Sequence, residues 1–369
     1  MPSRVSSFAA PDGIAPPLDV LVRGLAAGSA GDAAARAEAI EQLDCWLARG
    51  YEPPQPVHEE ARLIASARWL LNDRPDHPVI PVWAARASQV LQALDDRTLS
   101  ALLANFSFEY SIRIGDFGGA GRLVAEMWDS TASNWNARVT WLPSAALYLW
   151  LTGRPDAALA ALAPAIDDPT LPPLVRYELL EQAASAALAA GDRERCHGYL
   201  ELAESLLPHL SRQDRAHIWF LKAGAAAIAS DVETAVDAMN RCEELGREVE
   251  ARFFNALWRL GAALVRLAAD RPRTAERDLS DLLGDVVLMR ARYLEWSVRL
   301  ARATARFALA RRPAAEADLA SALSIAAENG YVNCDPWGLM PLQRALLAHA
   351  VERGIEARTA RTILAQQGA

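Results

Sequence analysis

Long apolar-periodic stretches alternate with short polar turns along this chain, and the alternation is regular. Runs such as 99–114, 173–190 and 251–268 repeat apolar residues at three- and four-residue spacing, the period of a helix that buries one face. Each run ends in a brief turn: Gly115-Asp116, Gly153-Arg154-Pro155, Gly191-Asp192, Ser230-Asp231, and the degenerate copies Asp270-Arg271-Pro272 and Arg311-Arg312-Pro313. A second amphipathic stretch follows each turn, as at 193–207 and 232–246. The turns stand 38, 38 and 39 residues apart from 115 to 230, and the alanines at 235, 275 and 315 continue the series at intervals of 40.

Each copy reads as a helix hairpin. Gly or a small residue ends the first helix, and Asp caps the next or Pro takes its first position. On that reading Asp116, Asp192 and Asp231 are caps and not a carboxylate site. Neither helix can bury its apolar face alone, so successive hairpins must stack. The expected fold is all-α: a right-handed superhelical solenoid of tetratricopeptide-like hairpins, with a period of about 38–40 residues against the standard 34. Residues 97–330 hold six hairpins. Residues 17–96 read as less regular helices continuous with them, broken at Pro53-Pro54-Gln55-Pro56 and Pro75-Asp76-His77-Pro78. Residues 331–369 read as capping helices and 1–16 as a loose tail. No period-two alternation long enough for a sheet occurs.

Composition sharpens the picture. Alanine, the strongest helix former, makes up about a fifth of the 369 residues. The net charge is −8, with a single lysine, Lys222, among the 38 basic residues. An acidic chain without a basic block is a poor binder of nucleic acid or anionic membrane, so neither is an expected partner. Cys45, Cys196, Cys242 and Cys334 lie far apart, which indicates neither a disulfide framework nor a zinc site and suits a reducing, cytoplasmic setting. No signal peptide and no continuous apolar span of membrane length is read.

Several segments resemble a known family. Ala104-Asn105-Phe106 through Gly115-Asp116-Phe117, Glu328-Asn329-Gly330-Tyr331-Val332-Asn333 with Pro336-Trp337, the segment Ala345 to Glu356, and Arg74-Pro75-Asp76-His77-Pro78 are similar to the superhelical region of MalT-like, LuxR-type large bacterial transcriptional regulators. The resemblance implies a sensor arm that receives an inducer or an inhibitory partner. It implies no catalytic residue. The chain lacks the P-loop and the helix-turn-helix that complete such regulators, so it reads as a sensor region or a free-standing relative.

Catalytic signatures are missing. His58-Glu59-Glu60 is followed by Arg62 where a zinc protease helix needs histidine, and no GxSxG or strand-borne GxGxxG occurs. Cys196 and His197 are helical neighbours about 100° apart and do not face each other. No enzyme, metal or cofactor is expected.

One pattern stands out as a candidate contact. Arg252, Arg259 and Arg266 lie seven apart on one first helix, and Arg292, Arg299 and Arg306 repeat them 40 residues on, with Arg302 beside the second set. Stacking would set the stripes side by side, and guanidinium forks suit carboxylates or phosphates. If first helices line the concave face, this is a basic strip in a groove, bordered by Trp296, that takes a protein segment or a small anionic effector. The competing reading is a solvated helix face whose charges are met locally, with Glu295 near Arg299 and Arg302. Trp141, Trp150, Trp219, Trp258 and Trp296 read mainly as packing residues. The loop Asn333-Cys334-Asp335-Pro336-Trp337 reads as a rigid cap over the last hairpin. Together these readings point to a non-catalytic interaction or sensor module in bacterial signalling or transcription regulation. The alternatives are a scaffold or chaperone-like adaptor and, more distantly, a helical enzyme.

Overall fold

The computed structural model describes residues 17–30, 33–48, 50, 53–333, 337 and 341–366. The 1–16 tail expected from sequence and part of the 333–337 loop lie outside them. Among the described residues the fold is all-α with no strand. In chain order the helices are α1 (Pro17–Ala30), α2 (Ala33–Leu47), α3 (Val57–Ser66), α4 (Leu70–Asp73), α5 (Val79–Ala93), α6 (Arg97–Ile114), α7 (Phe117–Ser130), α8 (Trp135–Leu151), α9 (Pro155–Ile166), α10 (Pro173–Ala189) and α11 (Arg193–Glu204). They continue with α12 (Arg212–Ile228), α13 (Val232–Gly246), α14 (Arg252–Ala268), α15 (Pro272–Leu288), α16 (Arg292–Ala308), α17 (Arg312–Asn329), α18 (Pro341–Arg353) and α19 (Ala357–Gln366).

From α6 onward the helices pair, α6 with α7 through α16 with α17, and each pair packs on the next. The turns show why. Asp116, Asp192 and Asp231 accept hydrogen bonds from the backbone N–H groups of Gly119, Arg195 and Thr234, at 2.7, 3.0 and 3.2 Å. Pro155, Pro272 and Pro313 open α9, α15 and α17 where no capping side chain is present. The residue just before the N-cap of each second helix is left-handed: Gly115, Gly153 and Gly191 in the first three pairs, then Ser230, Asp270 and Ala310 at φ of 60°, 55° and 58°. The later turns keep the geometry without the residue that adopts it freely. Their spacing therefore outlasts their glycine.

Two apolar cores fill the solenoid. One joins α1–α6 around Trp69 and Trp83, and the other runs from α6 to α19. The superhelix winds far enough for its late pairs to meet its early helices. Arg252 of α14 pairs with Asp76 at 2.8 Å, the Arg113 guanidinium of α6 stacks 4.1 Å from the Phe253 ring, and α16 contacts α6. After α17 the chain turns back inside. Asn333 donates to the Trp150 carbonyl of α8, and Tyr293 donates to the Asn333 carbonyl at 3.2 Å. Trp337 is 1% exposed and lies against Phe220 and against Gly224 and Gly261 of α12 and α14. Those two glycines leave the slot the indole fills, so Trp337 lies against the two hairpins that precede the last pair.

Candidate functional site

A groove of about 690 Å³ opens on the concave side of this superhelix. The positions that line it drift along the first helices. α6 contributes its C-terminal end (Glu109, Ile112, Arg113) and α8 the second half of its length, from Pro143 to Leu151. α10 contributes positions from Leu174 to Ser185, whereas α12 and α14 contribute their first two turns and α16 its first. Leu174, Gln213, Phe253 and Tyr293 hold the same place in four successive hairpins and all face the groove. Each pair is thus rotated on the last, and the groove crosses the helices obliquely.

Its walls are aromatic and its ends are charged. On the α6 side Arg113, 8% exposed, bonds the Leu71 carbonyl and the Asn72 amide oxygen, the latter at 2.6 Å. Burial pulls its guanidinium down to about 10, and the nearby Arg68 adds to that. Arg68 pairs with Glu109 and reaches Glu178 at 3.5 Å. Arg36 pairs with the buried Asp73, whose carboxyl desolvation raises to about 7.

Across the groove stand Glu178 and Glu181 of α10 with Asp214 and His217 of α12. Desolvation raises all three carboxyls, and Glu181 reaches about 8 because Asp214 and Glu178 add their negative charge to its burial. Asp214 also closes a capping box with Ser211 at the start of α12, so helix formation itself places it there. His217 stacks on Phe220 at 5.2 Å and meets Phe254 edge-on at 5.5 Å. Its Nδ1 accepts from the Trp258 indole at 3.4 Å and its Nε2 lies 3.4 Å from Glu181. Burial pulls its pKa to about 4, so the imidazole is neutral at pH 7.

The arginine strip lies elsewhere. Arg252 pairs with Asp76, Arg259 with Asp285 at 2.5 Å, and Arg266 with Glu243 and Asp278 at 3.2 and 3.4 Å. Arg292 meets Glu295 and Glu328 at 3.0 and 3.2 Å, and Arg299 meets Glu295 at 2.9 Å. Arg302 makes a fork with Asp318 at 2.7 and 2.8 Å, and Arg306 pairs with Asp318 and Glu276 at 2.8 and 3.1 Å. Every guanidinium of the strip has a carboxylate, most of them on α13, α15 and α17, and none lines the groove. The strip ties first helices to second helices. Trp296 is fully buried, its ring 5.1 Å from that of Tyr331.

The structure gives no chemistry to the remaining candidates. Burial pushes the Cys196 thiol up to about 12, away from the thiolate that a nucleophile needs, while His197 points outward to Glu201 at 3.2 Å. Among the described residues no group of three His, Cys, Asp or Glu could hold a metal ion, and no helix is long and apolar enough to cross a membrane.

No family model matches the chain, and no curated protein matches it. Among solved structures it is similar to a Rap protein complexed with Competence and Sporulation Factor, at 12% identity and a TM-score of 0.62. The match covers 95% of this chain and 98% of that one. The likeness establishes the fold: a tetratricopeptide-like helical repeat over nearly the whole chain.

Proposed function

We propose that the chain is a non-catalytic sensor module that holds a peptide segment in its concave groove and passes that occupancy to a signalling or transcription-regulating partner in the cytoplasm. The groove carries the reading. It has the volume of a ligand site, aromatic walls from successive first helices and charged groups at both sides, set on a rigid repeat scaffold. The Rap protein that shares this fold is complexed with Competence and Sporulation Factor, which supports placing a signalling ligand here. A segment of chain suits an oblique, elongated groove better than a small anion, because the arginines that would draw an anion are already paired.

A displayed library of random heptapeptides tests this. Selection on the wild-type protein should enrich peptides whose binding is lost in Gln213→Trp and Leu174→Trp, two half-exposed or exposed groove positions where a larger side chain fills the site without touching the core. Enrichment indifferent to both variants, or no enrichment at all, would refute the reading. In the first case a surface adaptor becomes the better account.

A further inference from the structure

We infer that the groove selects peptides carrying a basic side chain, whose cationic head sits between Glu178, Glu181 and Asp214. This rests on the groove's being a peptide site and adds the chemistry of its occupant.

Three observations converge. First, the carboxylates of α10 and α12 stand together on one wall of the groove with little positive charge between them. Arg68 is their sole basic neighbour among the described residues, and it is already shared with Glu109. His217, 3.4 Å from Glu181, is held neutral among Phe220, Phe254 and Trp258 and supplies no charge. Second, the nearby Ser185 hydroxyl lines the same wall one helical turn beyond Glu181. Ser185 is 3% exposed, and no hydrogen bond ties its side chain to another described residue. Its oxygen opens onto the cavity with no protein partner, where a polar group of a ligand can take the place of solvent. Third, Phe253 and Phe254 line the same groove; Arg113 already lies 4.1 Å over the Phe253 ring, and the aromatic surface left beside it is one on which the alkyl stem of lysine or arginine packs.

A cation in this place meets three carboxylates in a low-dielectric cleft, where charge-assisted hydrogen bonds are strongest. An anionic segment would meet the same carboxylates and be rejected, which makes the acidic wall a filter as well as an anchor. The opposite wall cannot play the mirror role, since Arg113 and Arg36 are each bound to a protein acceptor.

The random heptapeptide library again provides the probe, now read for sequence. Peptides enriched in a groove-dependent way should carry Lys or Arg at a fixed position. A selected peptide, synthesised with blocked ends, should bind the Glu178→Gln/Glu181→Gln double variant at least tenfold more weakly, and replacing its basic residue by norleucine should cost as much on the wild type. Helix content of the double variant, followed by circular dichroism, should be unchanged. Groove-dependent peptides without a basic residue, or equal affinity for the double variant, would overturn the inference and leave the peptide-site reading standing. Failure to enrich any groove-dependent peptide would remove both.

Discussion

Replacing Glu181 by glutamine should stabilise the protein, by an amount that grows with pH. The carboxyl is about one-fifth exposed and faces Tyr177 and Glu178 on its own helix, and Asp214 and His217 on α12, with Arg68 the nearest cation. Its pKa stands near 8 in the folded chain against an ordinary 4.5. A carboxyl raised on folding favours the folded state while protonated. That advantage is fully present below pH 4.5 and is lost as pH climbs to 8. At pH 7 the folded carboxyl holds a proton that the unfolded chain has lost, and taking it up on folding costs up to about 3 kcal/mol; water at the exposed edge brings the observable effect to about 1–3 kcal/mol. Glutamine keeps the shape and the hydrogen-bonding capacity without the charge. Urea unfolding of both proteins at pH 4.5, 6, 7 and 8.5 should give nearly equal midpoints at the lowest pH and a widening gap above it. His217 titrates in the opposite sense: its folded pKa is depressed, so both proteins lose stability as pH falls from 6.5 toward 4. That term is common to the pair and cancels in the difference. A gap that does not change with pH, or a glutamine variant less stable than wild type at pH 8.5, would refute the account of this carboxylate.

Other consequences can be checked as directly. Affinity for a basic heptapeptide selected on the groove should rise between pH 6 and 9 as Glu181, with a pKa of about 8, ionises while the peptide keeps its charge, measured by fluorescence anisotropy; a fall over that range would contradict it. Gly284→Ala, in an open stretch of α15, should stabilise by about 0.5–1 kcal/mol, whereas Gly261→Ala should destabilise by about 1–3 kcal/mol, because its methyl would fall 2.6 Å from Phe220 and 2.8 Å from Trp337. Near-ultraviolet circular dichroism should report loss of the Trp337 environment in the second variant alone. Ala310→Gly should raise stability by up to about 1 kcal/mol in chemical denaturation, since it relieves a left-handed alanine at φ 58°.

Much of the architecture was legible because repeat turns are local. Asp116, Asp192 and Asp231 announce helix starts through a hydrogen bond three residues long, and their spacing carries the pairing of helices with it. The groove was not legible, for a geometric reason. Spacing fixes the angle between two residues on a helix but not which arc of that helix faces the superhelix axis. Arg252 and Phe253 are sequence neighbours, about 100° apart; the arginine turns to Asp76 and the phenylalanine to the groove. The same ambiguity hid Tyr293 beside Arg292. Aromatic groove residues also look like core residues in sequence, and the recurrence of Leu174, Gln213, Phe253 and Tyr293 at one repeat position, with one polar member among them, was the available signal. Closure of the superhelix rests on contacts such as Asn333 with the Trp150 carbonyl, 183 residues apart, for which no periodicity exists.

The contrast between the two charged regions says where ligand chemistry belongs. Along the arginine strip each cation is matched, and Asp318, Glu295 and Glu276 each serve two guanidiniums. Such matching is what stability and solubility ask of a lysine-poor helical array. In the groove the same chain leaves Glu178, Glu181 and Asp214 under-compensated, sets a neutral histidine beside them and opens the Ser185 hydroxyl onto the cavity. Apolar residues of similar size at these positions would close the concave wall with less electrostatic cost. Local sacrifice of stability in one concave place, on a scaffold that satisfies its charges elsewhere, supports the proposal that the groove is the ligand site. Because α6, α8, α10, α12, α14 and α16 all reach this groove, a bound segment would touch six hairpins at once. A change in the twist between neighbouring hairpins would then alter that contact along its whole length, which gives a solenoid a physical route from an occupied groove to a changed outer surface.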